Sequence, residues 1–420
     1  MNIKVPDRAA AIIKRLESEG YEAYVVGGCV RDSILKKKPN DWDITTGAKP
    51  SVVKSLFSVT IDTGIKHGTV TVMMGRVGFE VTTFRVDGDY SDGRHPDSVC
   101  FTASLTEDLR RRDFTINAMA YSDSTGLVDE FGGISDLKAH VIRCVGDPVE
   151  RFGEDALRML RAVRFAGQLG FEIEEETFDA IKKLAPTIKK VSAERIAKEL
   201  EKLLISKRPE DISLCHKSGL FAVIMPELDE FFSEKAGEAS KLLCAIGKSK
   251  AADDKTLMRL RWSLLLLPLG SEQAGKIIKG LKYDNDTLAI VKKLTELLCN
   301  PVEIDEYEVR RTVNAAGHDL MPVLFEARRG LSENGCNVSL ACETFQPDSL
   351  DKVEAMYKKV FDDGDATSIK ELALTGNDLM AAGVPRGKEI GRVLSALLER
   401  VLKDPELNEK EKLLELVGKV

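Results

Sequence analysis

The chain has 420 residues, of which 43 % are hydrophobic, 31 % charged and 6 % aromatic. That length predicts two to four domains, and the balance fits a soluble, helix-rich globular protein. Acidic residues outnumber basic ones by 68 to 61, for a net charge of −7, which excludes a protein coated in nucleic acid but leaves room for a local basic track.

Residues 7–19 carry apolar side chains at helical spacing, with Pro6 near the start and Gly20 placed to stop the helix. Residues 23–26 read as a short apolar strand running into Gly27 and Gly28, followed by a brief helix over 30–37 and a strand through 41–45. Residues 69–74 and 78–85 predict a hairpin that turns at Gly75, and residues 86–99 a loop rich in Asp, Gly and His. Beyond about residue 145, helical runs alternate with short polar breaks, and 154–165 reads as one helix. The expected fold class is α+β. A mixed α/β head with a small sheet spans 1–140, and all-helical regions follow at 141–205, 206–305 and 306–420.

A basic track lies within 182–208, with nine Lys or Arg against three Glu. The eight cysteines are scattered without a CxxC pair, which argues against zinc or a disulfide framework and for free thiols in a reducing compartment. The N-terminal segment lacks the apolar core of a signal peptide, and the strongest apolar run, 264–267, is cut by Pro268. The expectation is a cytoplasmic protein with no membrane segment and no implied protein partner.

The first chemical signal is the Gly27-Gly28 turn followed by Asp41 and Asp43. In a strand, residues two apart share a face, so the two carboxylates project together while Trp42 packs opposite. Such a pair suits Mg²⁺, a hard cation that shares itself with substrate phosphates. The glycines let backbone N–H groups approach phosphate oxygens, and Arg31 would neutralise a triphosphate. This combination resembles the DNA polymerase beta nucleotidyltransferase superfamily. Glu80, on a nearby predicted strand, is the candidate third carboxylate.

The second signal is the predicted helix holding Asp155, Arg158, Arg161 and Arg164 at spacings of three. One Arg donor beside one Asp acceptor matches the N3/N4 edge of cytosine and the N1/N6 edge of adenine alike. Guanine and uracil would leave buried polar groups unpaired at about 1–3 kcal/mol each. A protein template of this form accepts C and A, with Arg161 and Arg164 holding ribose or phosphates.

These residues together resemble the class II tRNA nucleotidyltransferases, the CCA-adding enzyme family. The family's second motif matches residues 111–118 and implies ribose and triphosphate contacts for Arg112 and Asp113. Its third matches 129–137, a hinge between head and neck, and a fifth matches 192–200, a support for the neck. The resemblance implies a nucleotidyltransferase head, a helical neck carrying the base-reading helix, a body, and a tail. It also implies CTP and ATP as substrates and tRNA, gripped along its acceptor–TΨC arm, as partner.

Close relatives differ in small elements. A flexible loop at 86–96 argues against CC-only addition, and the absence of a basic Gly-Arg-Arg/Lys-Phe element near Gly75 argues against a poly(A) polymerase. An A-adding enzyme fits the same features, and a catalytically silent tRNA-binding protein is disfavoured by the intact Asp41/Asp43 pair. His318-Asp319 resembles one piece of an HD phosphohydrolase site, but five His in the whole chain leave it without partners.

Overall fold

A computed structural model describes residues 2–88, 99–300, 304–336 and 347–419. Two compact units divide the chain, Met1–Asp229 and Glu230–Val420.

The first unit opens with α1 (Asp7–Ser18), which buries Ala9, Ile12, Ile13 and Leu16 on one stripe, the i, i+3, i+4, i+7 spacing of an amphipathic helix. Strand β1 (Ala23–Val26) is buried along its whole length, as a central strand must be. Helix α2 (Gly28–Ile34) follows, then β2 (Ile44–Thr46), α3 (Pro50–Leu56), β3 (Thr60–Gly64), β4 (Thr69–Met74) and β5 (Val77–Thr83). The β4–β5 hairpin turns at Gly75 as the sequence predicts. Strands β6 (Arg85–Asp87) and β7 (Val99–Phe101) pair antiparallel, so the two ends of the predicted 86–99 loop are strand instead. Most of the expected 86–96 loop lies outside the described residues.

After α4 (Leu105–Arg110), strands β8 (Ala120–Ser122) and β9 (Gly126–Val128) complete a seven-stranded sheet of order β3-β4-β5-β2-β1-β8-β9. Within this sheet, β2 and β5 pair in parallel and the other neighbours antiparallel. One face of this sheet packs Tyr24, Val26, Phe84, Leu105, Leu109, Ala118 and Ala120 into a core.

The helices that follow are α5 (Gly133–Ala139), α6 (Pro148–Glu154), α7 (Leu157–Leu169), α8 (Glu175–Leu184) and α9 (Ala193–Leu204). Asp129 caps α5 by accepting from the Gly133 and Ile134 N–H groups at 2.7 and 2.8 Å. A Cβ at Gly133 would stand 2.5 Å from the Thr115 carbonyl oxygen. Gly133→Ala should therefore destabilise the unit by about 3 kcal/mol through overpacking, seen as a lowered midpoint in a thermal melt; an unchanged midpoint would mean the backbone gives way freely there.

Helix α7 is buried on almost every side, Met159, Leu160, Ala162, Val163 and Ala166 being at 1 % exposure or less. It is the axle of the unit. A Cβ at Gly167 would meet Leu203 of α9 at 2.5 Å, which shows how closely α7 and α9 approach.

Among the described residues, the second unit is wholly helical. Trp262 is fully buried and donates its indole N–H to the Tyr283 hydroxyl at 3.1 Å. Toward the C-terminus, Leu379, Leu397, Val401 and Leu413 form a separate core. His318 faces Tyr357 and Phe361 and shares a 3.1 Å hydrogen bond with the Thr367 hydroxyl, so it works as an aromatic packing residue. Among the described residues no helix is long and apolar enough to cross a membrane.

Candidate active site

Asp41 and Asp43 lie just before β2, not within it, because the ladder begins at Ile44. Asp43 is nonetheless tied to the sheet, since its carbonyl accepts from the Val26 N–H at 3.0 Å. Trp42 is half-buried, while both carboxylates keep a solvent-exposed edge. On β5, Phe79, Val81 and Thr83 point into the core and Glu80 points out. The parallel register pairs Ile44 with Val81, so the next step outward brings Asp43 beside Glu80.

That crowding has an electrostatic signature. Burial by the surrounding head, the Glu80 carboxylate and the Asp41 carboxylate all raise the Asp43 pKa, and Arg112 only partly offsets them. Burial and then the Asp43 charge also push the neighbouring Cys29 thiol, at the start of α2, up to about 12. Among the described residues no three acidic, His or Cys side chains make a ready-built metal cage. A Mg²⁺ held by one or two carboxylates and substrate phosphates needs no such cage, and the carboxylates of Asp41, Asp43 and Glu80, only partly offset at Asp43 by Arg112, are oxygen donors that suit a hard dication.

Gly27 adopts φ +80, and a Cβ there would come within 3.1 Å of the Arg112 guanidinium. Only glycine brings the turn this close to Arg112. Beneath it sits Asp108, fully buried. Asp108 accepts from Arg111 at 2.8 and 3.0 Å, from Arg112 at 3.3 Å and from the Thr45 hydroxyl at 3.1 Å. Burial would raise its pKa, but Arg112 and Arg111 outweigh that and hold it low. Asp108 thus fixes the direction of Arg112, a role no sequence motif announced.

Arg31 is likewise fixed, donating to Asn117 at 2.7 Å and to Asp32 at 2.9 Å. Asn117 in turn donates to Asp113 at 3.1 Å, and Arg161 grips the other Asp113 oxygen at 2.6 and 2.9 Å. Arg164 pairs with Glu199 and stacks 3.7 Å over Phe165, whose ring also lies 5.1 Å from Arg31 and 5.4 Å from Arg161. One polar network therefore runs from the glycine turn to α7 and α9. Asp113, Arg161 and Arg164 are all tied into it, with the Arg161 side chain still 32 % exposed.

Asp113 is 8 % exposed. Burial alone would raise its pKa, but Arg161 and the hydrogen bonds from Asn117 and Arg161 drive it far below the usual carboxylate range. A depressed carboxylate pKa contributes stability at pH above the unfolded value, and that stability is lost as pH falls through the folded one. Arg161→Ala should cost about 3–5 kcal/mol at pH 7 by leaving a buried charge unpaired, and the deficit should shrink on acidification. Urea denaturation at pH 7 and pH 4 measures it; a deficit independent of pH would reassign the loss to packing.

The base-reading segment departs from expectation. Residues 154–165 are not one helix, because Asp155 breaks it with φ −139 and ψ 103, between α6 and α7. Its carboxylate caps the next helix by accepting from the Leu157 N–H at 3.0 Å. Asp155 and Arg158 therefore do not share a helical face. Asp155 is bound by Arg195 at 2.7 and 3.3 Å. Arg158 pairs with Glu154 at 2.5 Å and donates to the Arg151 and Arg111 carbonyls at 3.0 Å each. Arg158 still reaches back to the head, through Arg111, one residue before Arg112.

Three family models match in chain order: the Poly A polymerase head domain over residues 23–143, the RNA- and SrmB-binding site of polymerase A over 170–232, and tRNA nucleotidyltransferase domain 2 over 258–417. The CCA-adding enzyme of Limosilactobacillus fermentum is 38 % identical over 417 residues, covering 98 % of this chain and 96 % of its own length. That of Lacticaseibacillus paracasei is 38 % identical over 421 residues, covering 99 % and 97 %. Among solved structures, the Bacillus stearothermophilus CCA-adding enzyme in complex with CTP superposes with a TM-score of 0.75 at 30 % identity, covering 99 % of this chain and 98 % of that one. The Thermotoga maritima CCA-adding enzyme complexed with tRNA shares the fold at a TM-score of 0.63 and 21 % identity, covering 100 % and 99 %.

Proposed function

The chain belongs to the CCA-adding enzymes, the class II tRNA nucleotidyltransferases, and from that premise we propose how its side chains divide the work. The enzyme builds the CCA end of tRNA from CTP and ATP, without a nucleic-acid template, and releases pyrophosphate. Nucleotidyltransferases of this kind generally use a divalent metal. We take that metal to be Mg²⁺, held by Asp41 and Asp43 with Glu80 beside them. Bound there, it would lower the pKa of the attacking hydroxyl and neutralise the departing pyrophosphate.

The protein's own part is positioning. The tRNA 3′-hydroxyl attacks the nucleotide α-phosphate in line with the leaving pyrophosphate. Gly28 presents its backbone N–H at the start of α2, and Arg31 and Arg112, each locked by a buried partner, meet the triphosphate without reorganising. Asp113, Arg161 and Arg164, tied to one another's neighbours across the head and α7, meet the nucleotide's ribose and phosphates. Asp155, clamped by Arg195, and Arg158 read the base edge. Their separation by a helix break favours a fixed acceptor and a fixed donor on two different backbone segments.

We keep the division into head (1–140), neck (141–205), body (206–305) and tail (306–420), with body and tail holding the acceptor–TΨC arm, and we place the enzyme in the cytoplasm with its tRNA substrate. The observation that carries the reading is the crowding of Asp41, Asp43 and Glu80 around one another within reach of Arg112.

The test uses three tRNAs, ending before, within and after the CC, each incubated with labelled CTP or ATP. Full CCA addition predicts CMP on the first two and AMP on the third. Incorporation of AMP alone would make the chain an A-adding enzyme, and long A tails a poly(A) polymerase.

A further inference from the structure

We propose that Lys36, Lys37 and Lys38 of the head and Lys207, just past the neck, form a saddle that binds a phosphodiester of the tRNA strand leading to the reacting 3′ end. The proposal rests on the tRNA end-adding reading above. It starts from how two turns are placed. Lys36–Lys38 follow α2 directly, and the turn is held by the Lys37 N–H donating to the Asp32 carbonyl at 2.8 Å. Lys36 takes φ +56, a backbone conformation that L side chains rarely adopt. Helix α2 is itself pinned to α7, because Arg31 lies 5.1 Å over Phe165.

The second turn follows α9. Arg208 donates its N–H to the Gly167 carbonyl at 3.2 Å, and a Cβ at Gly167 would lie 3.0 Å from the Arg208 oxygen. Lys207 thus directly precedes a residue seated on α7 at Gly167, two residues beyond the Phe165 on which α2 is pinned. The two cationic turns bracket the same stretch of helix.

All four lysines are exposed, and among the described residues none has a carboxylate at ion-pair distance. The neighbouring acids are spoken for. Asp32 is bonded to Arg31, and Asp211 and Glu172 to Arg208. Partial burial of its stem and then the charge of Lys207 pull the Lys37 ammonium below its ordinary pKa, and Asp32, already bonded to Arg31, only partly offsets them. An anion bridging the turns would relieve both, and a nucleic-acid phosphate is the anion this enzyme handles in excess. The nucleotide triphosphate offers the same chemistry, so the experiment separates the two.

Full-length wild type, Lys37→Ala/Lys207→Ala and Lys37→Arg/Lys207→Arg are compared in CMP addition to tRNA lacking its CCA end. Lys14→Ala, in α1, serves as a surface control. Melting curves confirm that each variant is folded. The double alanine variant should raise KM for tRNA about 5- to 10-fold and flatten the slope of log kcat/KM against log salt by about one to two, as lost phosphate contacts do. Its kcat and KM for CTP should hold, and the arginine pair should restore both tRNA readouts. Unchanged tRNA KM and salt slope would overturn the proposal, as would a rise confined to the KM for CTP. A wild-type enzyme that adds nothing to tRNA would instead overturn the functional reading itself.

Discussion

Asp43→Asn is expected to abolish both CMP and AMP addition, lowering kcat/KM about a thousandfold or more, on the order of 4 kcal/mol of transition-state stabilisation. Binding of tRNA should survive, because nothing in the Asp43 surroundings belongs to the basic track. Stability should move the other way. In the folded chain the Asp43 carboxylate protonates above its usual range, first through burial and then through Glu80 and Asp41. Its ionised form therefore costs the native state stability. That cost is absent below the unfolded pKa and appears as pH rises through the folded one. Asn removes it, so the variant should melt at or above the wild-type temperature at pH 7, with the gap closing on acidification. Calorimetry read beside activity separates the roles. An inactive variant that is also less stable at pH 7 would make Asp43 a structural residue rather than a charge held ready for a metal.

Much of this site was legible in the sequence because its logic is local. The apolar run at 23–26, the glycine pair and the two aspartates each declare a backbone requirement, and β1, the Gly27 turn and the entry to β2 sit where those requirements put them. Glu80 could be placed by strand alternation alone. What the sequence hid is long-range. Asp108 reads as an ordinary helix acid, and its burial under Arg111, Arg112 and Thr45 depends on a strand 63 residues away. Phe165 reads as a core aromatic, yet three guanidinium groups from two elements gather on it. Glu199 likewise gains its meaning only when α9 docks on α7.

The break at Asp155 is a different kind of miss. The spacing of Leu157, Leu160 and Phe165 continues helical periodicity smoothly back through 154, so period alone extends the helix. A competing signal was present, since Asp is among the best N-cap residues and Gly153 weakens the turn before it. The cap prevailed because Arg195, from α9, holds the capping carboxylate in place. Periodicity identified the right residues and the wrong local geometry.

Arg158→Ala should relax the choice of base, lowering discrimination of CTP against UTP by about 10- to 100-fold, the range of one buried polar mismatch removed. The structure warns that this variant also orphans the Arg111 and Arg151 carbonyls and the Glu154 carboxylate, so a loss of overall rate proves nothing about reading. Glu154→Gln supplies the control. It breaks the same ion pair and leaves the guanidinium in place, so it should slow the reaction modestly while still rejecting UTP and GTP. Misincorporation measured as a ratio of kcat/KM values cancels any fraction of misfolded enzyme. If the two variants misincorporate equally, the selectivity comes from the Glu154–Arg158 pair holding α6 to α7. If Arg158→Ala rejects UTP as well as wild type does, a protein donor at this position reads no base, and the choice of letters must reside elsewhere in the pocket.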